Sequence, residues 1–355
     1  MTLSPTSDGA SCGWLAWAAI ATLTAGVGIW AQEPPRFRER VDVARLIIDA
    51  RVLDDRGNPV PGLTADDFKV KIDGKPVRVE TATWVGGRDT EHDAAPRAWT
   101  PDREVLAPMS PGRLIIFLFQ KDLEPSRIVG LMRMLLKSRN LLDALTPNDR
   151  VAILSFASHL KIWTDFTNDR ERLDRVLAQG VLFERPPRVP AASTPSLVER
   201  LDPDRARHAY GIERALELIG DALAPLPGSK SLVLIGHGFG RFGRSGVAME
   251  DDYGPARRAL VASRTSVFSL DVVDADYHSL EAGLQLVSEE TGGFYVRTHL
   301  FPDDALRRLS GALVGYYVLF VERPERLRAA HRIDVELRRR RGHVLAISRY
   351  SESAR

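Results

Sequence analysis

The middle of the chain alternates between apolar runs and segments in which apolar residues recur at helical spacing. Residues 114–119 are six consecutive apolar residues, and shorter or interrupted runs lie at residues 151–156, 232–235 and 267–272. Runs of this kind are typical of strands that are buried on both faces of a parallel sheet. The segments between them predict helices. We therefore predict a doubly wound α/β unit with a mostly parallel sheet over residues 113–313.

Two segments of this unit depart from the parallel pattern. Residues 160–163 follow the second strand after a very short turn, which predicts an antiparallel strand at the sheet edge. Residues 183–207 are rich in proline and charge and are predicted as a long loop. Long ordered loops in compact domains are often functional. We expect this one to cover part of the functional surface.

Strand patterns flank the α/β unit on both sides. Alternation at residues 68–72 and the turn signal Asp73-Gly74 predict a hairpin within an N-terminal β segment, residues 41–85. A C-terminal β segment is predicted at residues 314–350, and the polar residues 86–112 are predicted as a linker. Each β segment alone has too few strands to bury a face. We therefore predict that the two form one β-sandwich, with the α/β unit inserted between them.

An uncharged apolar stretch, residues 13–31, lies near the N-terminus. It predicts a signal peptide, residues 1–31, that is cut after Ala31. The residues before it include no Lys or Arg, which is unusual for a signal peptide. Retention as a membrane anchor is therefore the alternative. Both readings predict an exported protein of the periplasm or the extracellular space, with membrane contact only where the anchor is retained.

Composition narrows the classes of function. A formal net charge of +2 over 355 residues gives no global attraction to nucleic acid. The single cysteine, Cys12, lies in the leader, so the chain after it has no disulfide, thiolate metal site or cysteine nucleophile. After the leader, the chain contains neither a Gly-x-Ser-x-Gly motif nor a His-Glu-x-x-His motif. This part of the sequence therefore lacks the signatures of an α/β-hydrolase and of a zincin.

The predicted element order, β-α-β-β-α-α-β-α-β-α-β-α, resembles that of the von Willebrand factor A fold. Five short segments are similar to those of the VWFA-related proteins common in Acidobacteria: residues 54–68, 149–156, 165–169, 291–293 and 315–317. The resemblance extends over nearly all of the chain after the leader. It implies a fold and an exported setting more than an activity. We accordingly predict a non-enzymatic interaction or adhesion-type module with a protein partner.

Adhesive A-domains bind a divalent cation at the metal-ion-dependent adhesion site, and the resemblance allows that motif to be located. Its pattern is Asp-x-Ser-x-Ser after the first strand, a Thr on a later loop and an Asp after the fourth strand. Here Gln120 stands at the first Asp, Asp122 and Glu124 stand at the two serines, Tyr210 lies near the Thr and His237 stands at the last Asp. Because Mg²⁺ prefers hard oxygen ligands, we predict a degenerate site and no cofactor.

A shifted alignment offers an alternative. Asp122-Leu123-Glu124-Pro125-Ser126 differs from the motif by one substitution. Asp122, Glu124, Ser126 and His237 would then be ligands of Zn²⁺ or Mn²⁺. Asp122, Glu124 and His237 would make the protein a metal-dependent hydrolase. The simpler interpretation is that Glu124 begins a helix, where acidic residues are favourable. A second alternative is a structural scaffold of an envelope complex.

The predicted binding surface lies beyond the carboxyl ends of the parallel strands, where ligands bind in open α/β sheets. Its residues are Gln120, Lys121, Asp122, Glu124, His237 and Phe239. Asp271, Asp274 and Asp276 either add acid at this edge or form a turn. The run Arg338-Arg339-Arg340-Arg341 predicts a solvated hairpin tip, with a patch for an acidic polymer as the alternative.

Overall fold

The computed structural model describes residues 45–86, 112–192, 195–243, 246–322 and 330–350. The predicted signal peptide or anchor, the first residues of the N-terminal β segment and nearly all of the predicted linker lie outside these residues. Within the described residues, no helix combines the length and the apolar character that a membrane span requires.

Sixteen strands are described, which we number in chain order. They are β1 (Arg45–Leu53), β2 (Phe68–Ile72), β3 (Lys75–Val77), β4 (Val79–Gly86), β5 (Leu114–Gln120), β6 (Arg150–Phe156), β7 (Leu160–Thr167), β8 (Lys230–Gly236), β9 (Arg241–Gly243), β10 (Gly246–Ala248), β11 (Thr265–Asp271), β12 (Tyr295–Arg297), β13 (Gly315–Glu322), β14 (His331–Leu337), β15 (His343–Ala346) and β16 (Arg349–Tyr350).

Eight α-helices are described along the same residues. They are α1 (Pro125–Leu142), α2 (Arg170–Arg175), α3 (Val181–Phe183), α4 (Pro203–Arg207), α5 (Ile212–Leu223), α6 (Tyr253–Ala262), α7 (Glu281–Thr291) and α8 (Pro302–Val314). A π-helical turn (Val176–Gly180) joins α2 to α3.

A six-stranded sheet with the order β12-β11-β8-β5-β6-β7 forms the centre of the α/β unit. Neighbouring strands are parallel except β7, which pairs antiparallel with β6 at the edge. The prediction of a mostly parallel sheet with one antiparallel edge strand is therefore confirmed. The edge strand is longer than predicted, since it continues to Thr167.

Helices cover both faces of this sheet, which explains the unbroken apolar runs. Along β5, Ile116 and Leu118 pack into a cluster with α5, α6 and α7. The alternate residues Ile115 and Phe117 pack into a second cluster with α1, α2 and α8. Because successive side chains of a strand point to opposite faces, a strand with two covered faces has to be apolar at every position.

The flanking β segments form two four-stranded antiparallel sheets, β15-β1-β13-β4 and β16-β14-β2-β3. Each sheet combines strands from before and after the α/β unit, since Ile47 pairs with Phe320 and Ile72 pairs with Ile333. Apolar side chains from both sheets share one buried cluster. Residues far apart in the chain thus close one core, which neither β segment could bury alone.

The basic run at residues 338–341 requires a correction. It joins β14, which pairs with β2, to β15, which pairs with β1 in the other sheet. The four arginines are exposed, but they lie on a crossover between two sheets and not at a hairpin tip. Consecutive strand patterns with a short polar connection resemble a hairpin in sequence. Only the pairing partners distinguish the two arrangements.

Residues 183–207 are anchored to the edge strand β7 by the buried carboxylate of Asp165. It accepts hydrogen bonds from Ser196 Oγ at 2.6 Å, Leu197 N at 2.7 Å and Ala192 N at 2.9 Å. Leu197 is itself fully buried. The segment therefore includes α4 and packs at the sheet edge, where the sequence predicted only a loop.

Candidate functional site

Gln120 ends β5 at the centre of the sheet's carboxyl edge, and its amide is bonded to the backbone on both sides. Its Nε2 donates to Gly238 O at 2.9 Å, and its Oε1 accepts from His237 N at 3.1 Å. The approach is close, because a Cβ placed on Gly236 would lie 2.4 Å from Gln120 Oε1. The buried amide thus ties the end of β5 to the loop after β8.

Asp122 and Glu124 lie together on the loop after β5, and Arg127 pairs with both. Arg127 Nε lies 3.1 Å from Glu124 Oε2, and its guanidinium also donates to Asp122. Glu124 Oε1 accepts from Ser126 Oγ at 3.0 Å. Burial acts to raise the pKa of Asp122, but hydrogen bonds from Glu124 N and Arg127 outweigh it and hold the pKa below its usual value. Both carboxylates are thus ion-pair partners of one arginine.

His237 lies over this pair of acids in a largely buried position. Its Nε2 is 3.7 Å from Asp122 Oδ2. Its Nδ1 is buried and has no hydrogen-bond partner within the described residues. Burial lowers the pKa of His237 to about 4, and the nearby Arg127 guanidinium acts in the same direction. The imidazole is therefore neutral at physiological pH.

Acid is expected to destabilise the fold through His237. Its pKa of about 4 lies below the ordinary value of 6.5, so between these pH values the unfolded chain binds a proton that the folded chain does not. The free energy of unfolding is expected to fall by about 2 kcal/mol as the pH drops from 6.5 to 4. Urea unfolding at several pH values measures this, with His237→Gln as the comparison because an amide does not titrate. An equal fall in the free energy of unfolding of both proteins at low pH would contradict the attribution to His237.

Two residues of the predicted binding surface are interior. Phe239 is buried and its ring lies 6.4 Å from that of Tyr253, and Gln120 is buried as well. Lys121 donates to Val181 O and lies over the Trp163 ring at 5.8 Å, with its pKa lowered by burial. The accessible part of the predicted surface therefore consists of Asp122 and Glu124, together with the solvent-exposed atoms of Lys121 and His237. Apolar packing between the loop after β8 and α6 accounts for the burial of Phe239.

A second group of ionisable side chains, which sequence reasoning found only in part, lies at the end of β11. Asp271, His278 and Glu281 place their ligand atoms within 4.8 Å of one another. His278 Nε2 lies 2.7 Å from Asp271 Oδ2, and Tyr295 OH lies within 3.0 Å of both carboxylates. Arg297 donates to both oxygens of Glu281. Imidazole and carboxylates of this kind could hold a divalent metal, but here protein donors contact every carboxylate oxygen that faces the group.

Burial and hydrogen bonds raise the pKa of the Tyr295 hydroxyl well above its usual range, because desolvation and the Asp271 carboxylate both favour its neutral form. The phenol therefore stays a donor between the two acids. Asp271 was visible in the sequence as an acid at a strand end. The spacing of His278 and Glu281 from Asp271 in the sequence did not predict that the three side chains meet. An irregular loop follows Asp271, and its path cannot be derived from a periodic pattern.

Large exposed apolar side chains surround this edge on three adjacent loops. The loop after β11 is joined to the start of α1, where the loop after β5 ends, by a hydrogen bond from Asp274 N to Ser126 O at 3.0 Å. Asp276 Oδ1 of the loop after β11 lies 3.4 Å from His299 Nε2, which follows β12. The exposed side chains, which we call the apolar rim, are Leu123 (81% exposed), Tyr277 (70%), Leu300 (63%) and Phe301 (66%). Sequence reasoning missed the rim, since isolated apolar residues in loops show no periodicity.

Comparisons with known proteins give likeness in structure only. No protein-family model matches the chain, and no curated protein matches it. An aerotolerance-related membrane protein from Bacteroides fragilis is 16% identical, over 57% of this chain and 98% of its own, with a TM-score of 0.36. BatB from Bacteroides thetaiotaomicron is also 16% identical, over 57% of this chain and 97% of its own, at 0.36.

A von Willebrand factor type A protein from Catenulispora acidiphila is 10% identical, over 82% of this chain and 74% of its own, with a TM-score of 0.41. The α/β unit of the present chain has a fold related to the von Willebrand factor A domain. The element order and the parallel sheet with its antiparallel edge strand carry that conclusion.

Proposed function

We propose that this chain is an exported, non-enzymatic interaction module that binds a protein partner through the apolar rim. The observation that carries the proposal is the grouping of Leu123, Tyr277, Leu300 and Phe301 on three neighbouring loops, all with most of their surface in solvent. A hydrogen bond links the first two loops, and the contact of Asp276 with His299 links the second to the third. Contiguous exposed apolar side chains mark interaction sites in soluble proteins. Large apolar and aromatic side chains are also the usual anchors of protein interfaces.

Polar groups inside the rim would supply the orientation of the partner. Asp122 and Glu124 are partly accessible and already paired with Arg127. An interface with apolar anchors and a few fixed polar groups is typical of non-obligate protein complexes. The rigid sheet beneath these loops keeps the anchors in place before binding, which lowers the entropic cost of association.

The proposed binding mode uses no adhesion metal. Gln120 has its amide bonded to backbone groups, and Arg127 pairs with Asp122 and Glu124. A dication at this place would have to displace a guanidinium, and Gln120 and His237 provide no negative charge for it. For the same reason we do not favour the metal-dependent hydrolase that would use Asp122, Glu124 and His237.

We further propose that the two antiparallel sheets form one β-sandwich and that the α/β unit is inserted into it. Their shared apolar cluster and the pairing of β1 with β13 support this. In this proposal the sandwich consists of residues 41–85 and 314–350, the linker of residues 86–112 and the α/β unit of residues 113–313. Export, through residues 1–31 as signal peptide or anchor, belongs to the same proposal.

Removing the apolar rim is expected to abolish partner capture. A variant with Leu123→Ser, Tyr277→Ser, Leu300→Ser and Phe301→Ser loses four exposed anchors, and loss of an anchor of this type commonly weakens binding by about 2 kcal/mol. Wild type and variant are compared as baits for envelope proteins of the native host. We expect at least a tenfold loss of the retained proteins from the rim variant.

The matched control is Val85→Ser with Leu136→Ser, which removes exposed apolar side chains outside the rim. It should retain the same proteins as wild type, and EDTA should not release them. Equal loss from rim and control variants would place binding elsewhere. Release by EDTA would reopen the metal-dependent alternatives. Retention by the rim variant would leave the scaffold alternative, in which the β segments make the contacts.

A further inference from the structure

A cleft lined by arginines lies at the opposite edge of the parallel sheet, near the amino ends of β8 and β11. It has a volume of about 450 Å³ and opens between β1, α6 and β16. Its charged lining residues, which define the arginine cleft, are Arg45, Asp49, Arg257, Arg258, Arg264 and Arg349. Five cations and one acid line this recess, and two carboxylates beside it, Glu290 and Glu80 (2.7 Å from Arg45 Nε), pair with lining arginines. Five cations against three acids leave a local excess of two positive charges in a chain that is nearly neutral overall.

The carboxylates near the cleft neutralise only part of this charge. Asp49 is fully engaged by Arg264, which donates to both of its oxygens. Glu290 is shared, with Arg349 Nε at 3.2 Å and Arg257 Nε at 3.8 Å, and it also accepts from Tyr253 OH at 2.6 Å. Two guanidinium groups thus depend on one buried carboxylate that has a third donor.

Arg257 and Arg258 retain unused donors. The Arg257 side chain is only 15% exposed, yet its one ionic contact with the part of the chain that the structure describes, at 3.8 Å, is too long for a hydrogen bond. Within the described residues, Arg258 makes no ion pair and no side-chain hydrogen bond. A guanidinium carries five N–H donors, and partial burial of a cation without acceptors, as at Arg257, is unfavourable. The Arg258 side chain is exposed to solvent. An anion in the cleft would accept hydrogen bonds from both side chains.

We propose that the arginine cleft binds a phosphate-bearing ligand. The guanidinium groups approach from a helix, two strands and the loop after α6, so they surround the recess from several directions. A carboxylate offers two acceptor oxygens in one plane. A phosphate offers three oxygens in a tetrahedral array and up to two negative charges, which suits several converging guanidinium groups.

The cleft is formed where the β segments pack against the α/β unit. Arg45 and Asp49 come from β1, and Arg349 comes from β16. Arg257 and Arg258 lie in α6, and Arg264 lies on the loop after it. The site therefore requires the junction between these parts to be formed. It lies at the opposite end of the parallel sheet from the apolar rim. It stands independently of partner binding through the rim.

Titration calorimetry of the purified full chain with inorganic tripolyphosphate tests the site. We expect saturable binding, and Arg257→Gln with Arg258→Gln should raise the Kd about 10-fold or more. Arg258→Gln alone alters an exposed side chain and guards against misfolding, with a smaller increase expected. The control is Arg339→Gln with Arg340→Gln, which removes the same charge from the exposed crossover and should leave the Kd unchanged.

Phosphatidylcholine vesicles with and without phosphatidic acid, whose headgroup is a phosphate monoester, form a second arm. Co-sedimentation that requires Arg257 and Arg258 would identify a lipid headgroup as the source of the phosphate. Saturable tripolyphosphate binding without vesicle binding would identify a soluble ligand. The proposal is overturned when neither probe binds saturably, or when the control variant loses as much affinity as the cleft variant.

Discussion

Gly130→Ala is expected to lower the free energy of unfolding by about 4 kcal/mol, because the methyl group has no space at this position. Gly130 lies in α1 where the helix crosses the end of β11. A Cβ there would lie 1.9 Å from Val272 O, and backbone cannot rotate away as a side chain can. The helix has to shift by an ångström or more. Chemical denaturation measures the loss.

Gly254→Ala is the matched control, since it adds the same methyl to another helix, α6. There the nearest atom would be a terminal nitrogen of Arg258 at 3.6 Å, which is ordinary contact. The control should be neutral or up to about 1 kcal/mol more stable, because Ala favours helix over Gly. Similar stability of the two variants would contradict the close approach at Gly130.

Gly130→Ala is also expected to weaken partner capture. Ser126 O at the start of α1 accepts the bond from Asp274 N that joins two loops of the apolar rim. A shift of α1 breaks this bond and moves Leu123 relative to Tyr277. Capture by Gly130→Ala at a temperature where the variant is still folded should therefore fall, while Gly254→Ala retains wild-type capture.

Arg51→Ala is expected to cost about 3 to 4 kcal/mol. The guanidinium of Arg51 is fully buried where β1 meets the amino edge of the parallel sheet. It donates to Ser266 Oγ at 2.7 Å, Ser231 Oγ at 3.1 Å and Ala312 O at 3.2 Å. Burial lowers the pKa of this arginine, although the nearby Asp49 carboxylate opposes the shift. Truncation leaves a cavity and three acceptors without their donor.

The Arg51 side chain also packs between aromatic rings, with its guanidinium carbon 5.2 Å from the centre of Phe268 and 5.5 Å from that of Tyr316. Arg51→Met keeps most of this packing volume and removes the charge and the donors. We expect it to be less destabilised than Arg51→Ala, because burying a cation is itself costly. The surface control Arg56→Ala should change stability by less than about 0.5 kcal/mol. A similarly small effect for Arg51→Ala would show that the junction does not depend on this residue.

Local pattern in the sequence determined most of the architecture. The run at β5 predicted a strand with two covered faces, and the stripes of apolar residues predicted α1, α5, α7 and α8, because burial of one side leaves a period of 3.6 or 2 in the chain. The low strand count of each β segment predicted that they pair with each other. The substitutions at Gln120 and His237 were likewise readable as departures from a known motif.

Contacts between distant residues were decided only by the tertiary structure. Arg127 as the partner of Asp122 and Glu124, the group of Asp271, His278 and Glu281, and the anchoring of residues 183–207 by Asp165 depend on loop conformations that leave no periodic trace. The arginine cleft combines β1, α6 and β16, which the chain separates by many residues. A sequence pattern records which side of each element is buried, but not which element covers it. That choice follows from packing the whole chain into one core, and with it come the burial of Gln120 and Phe239 and the sites at the two edges of the sheet.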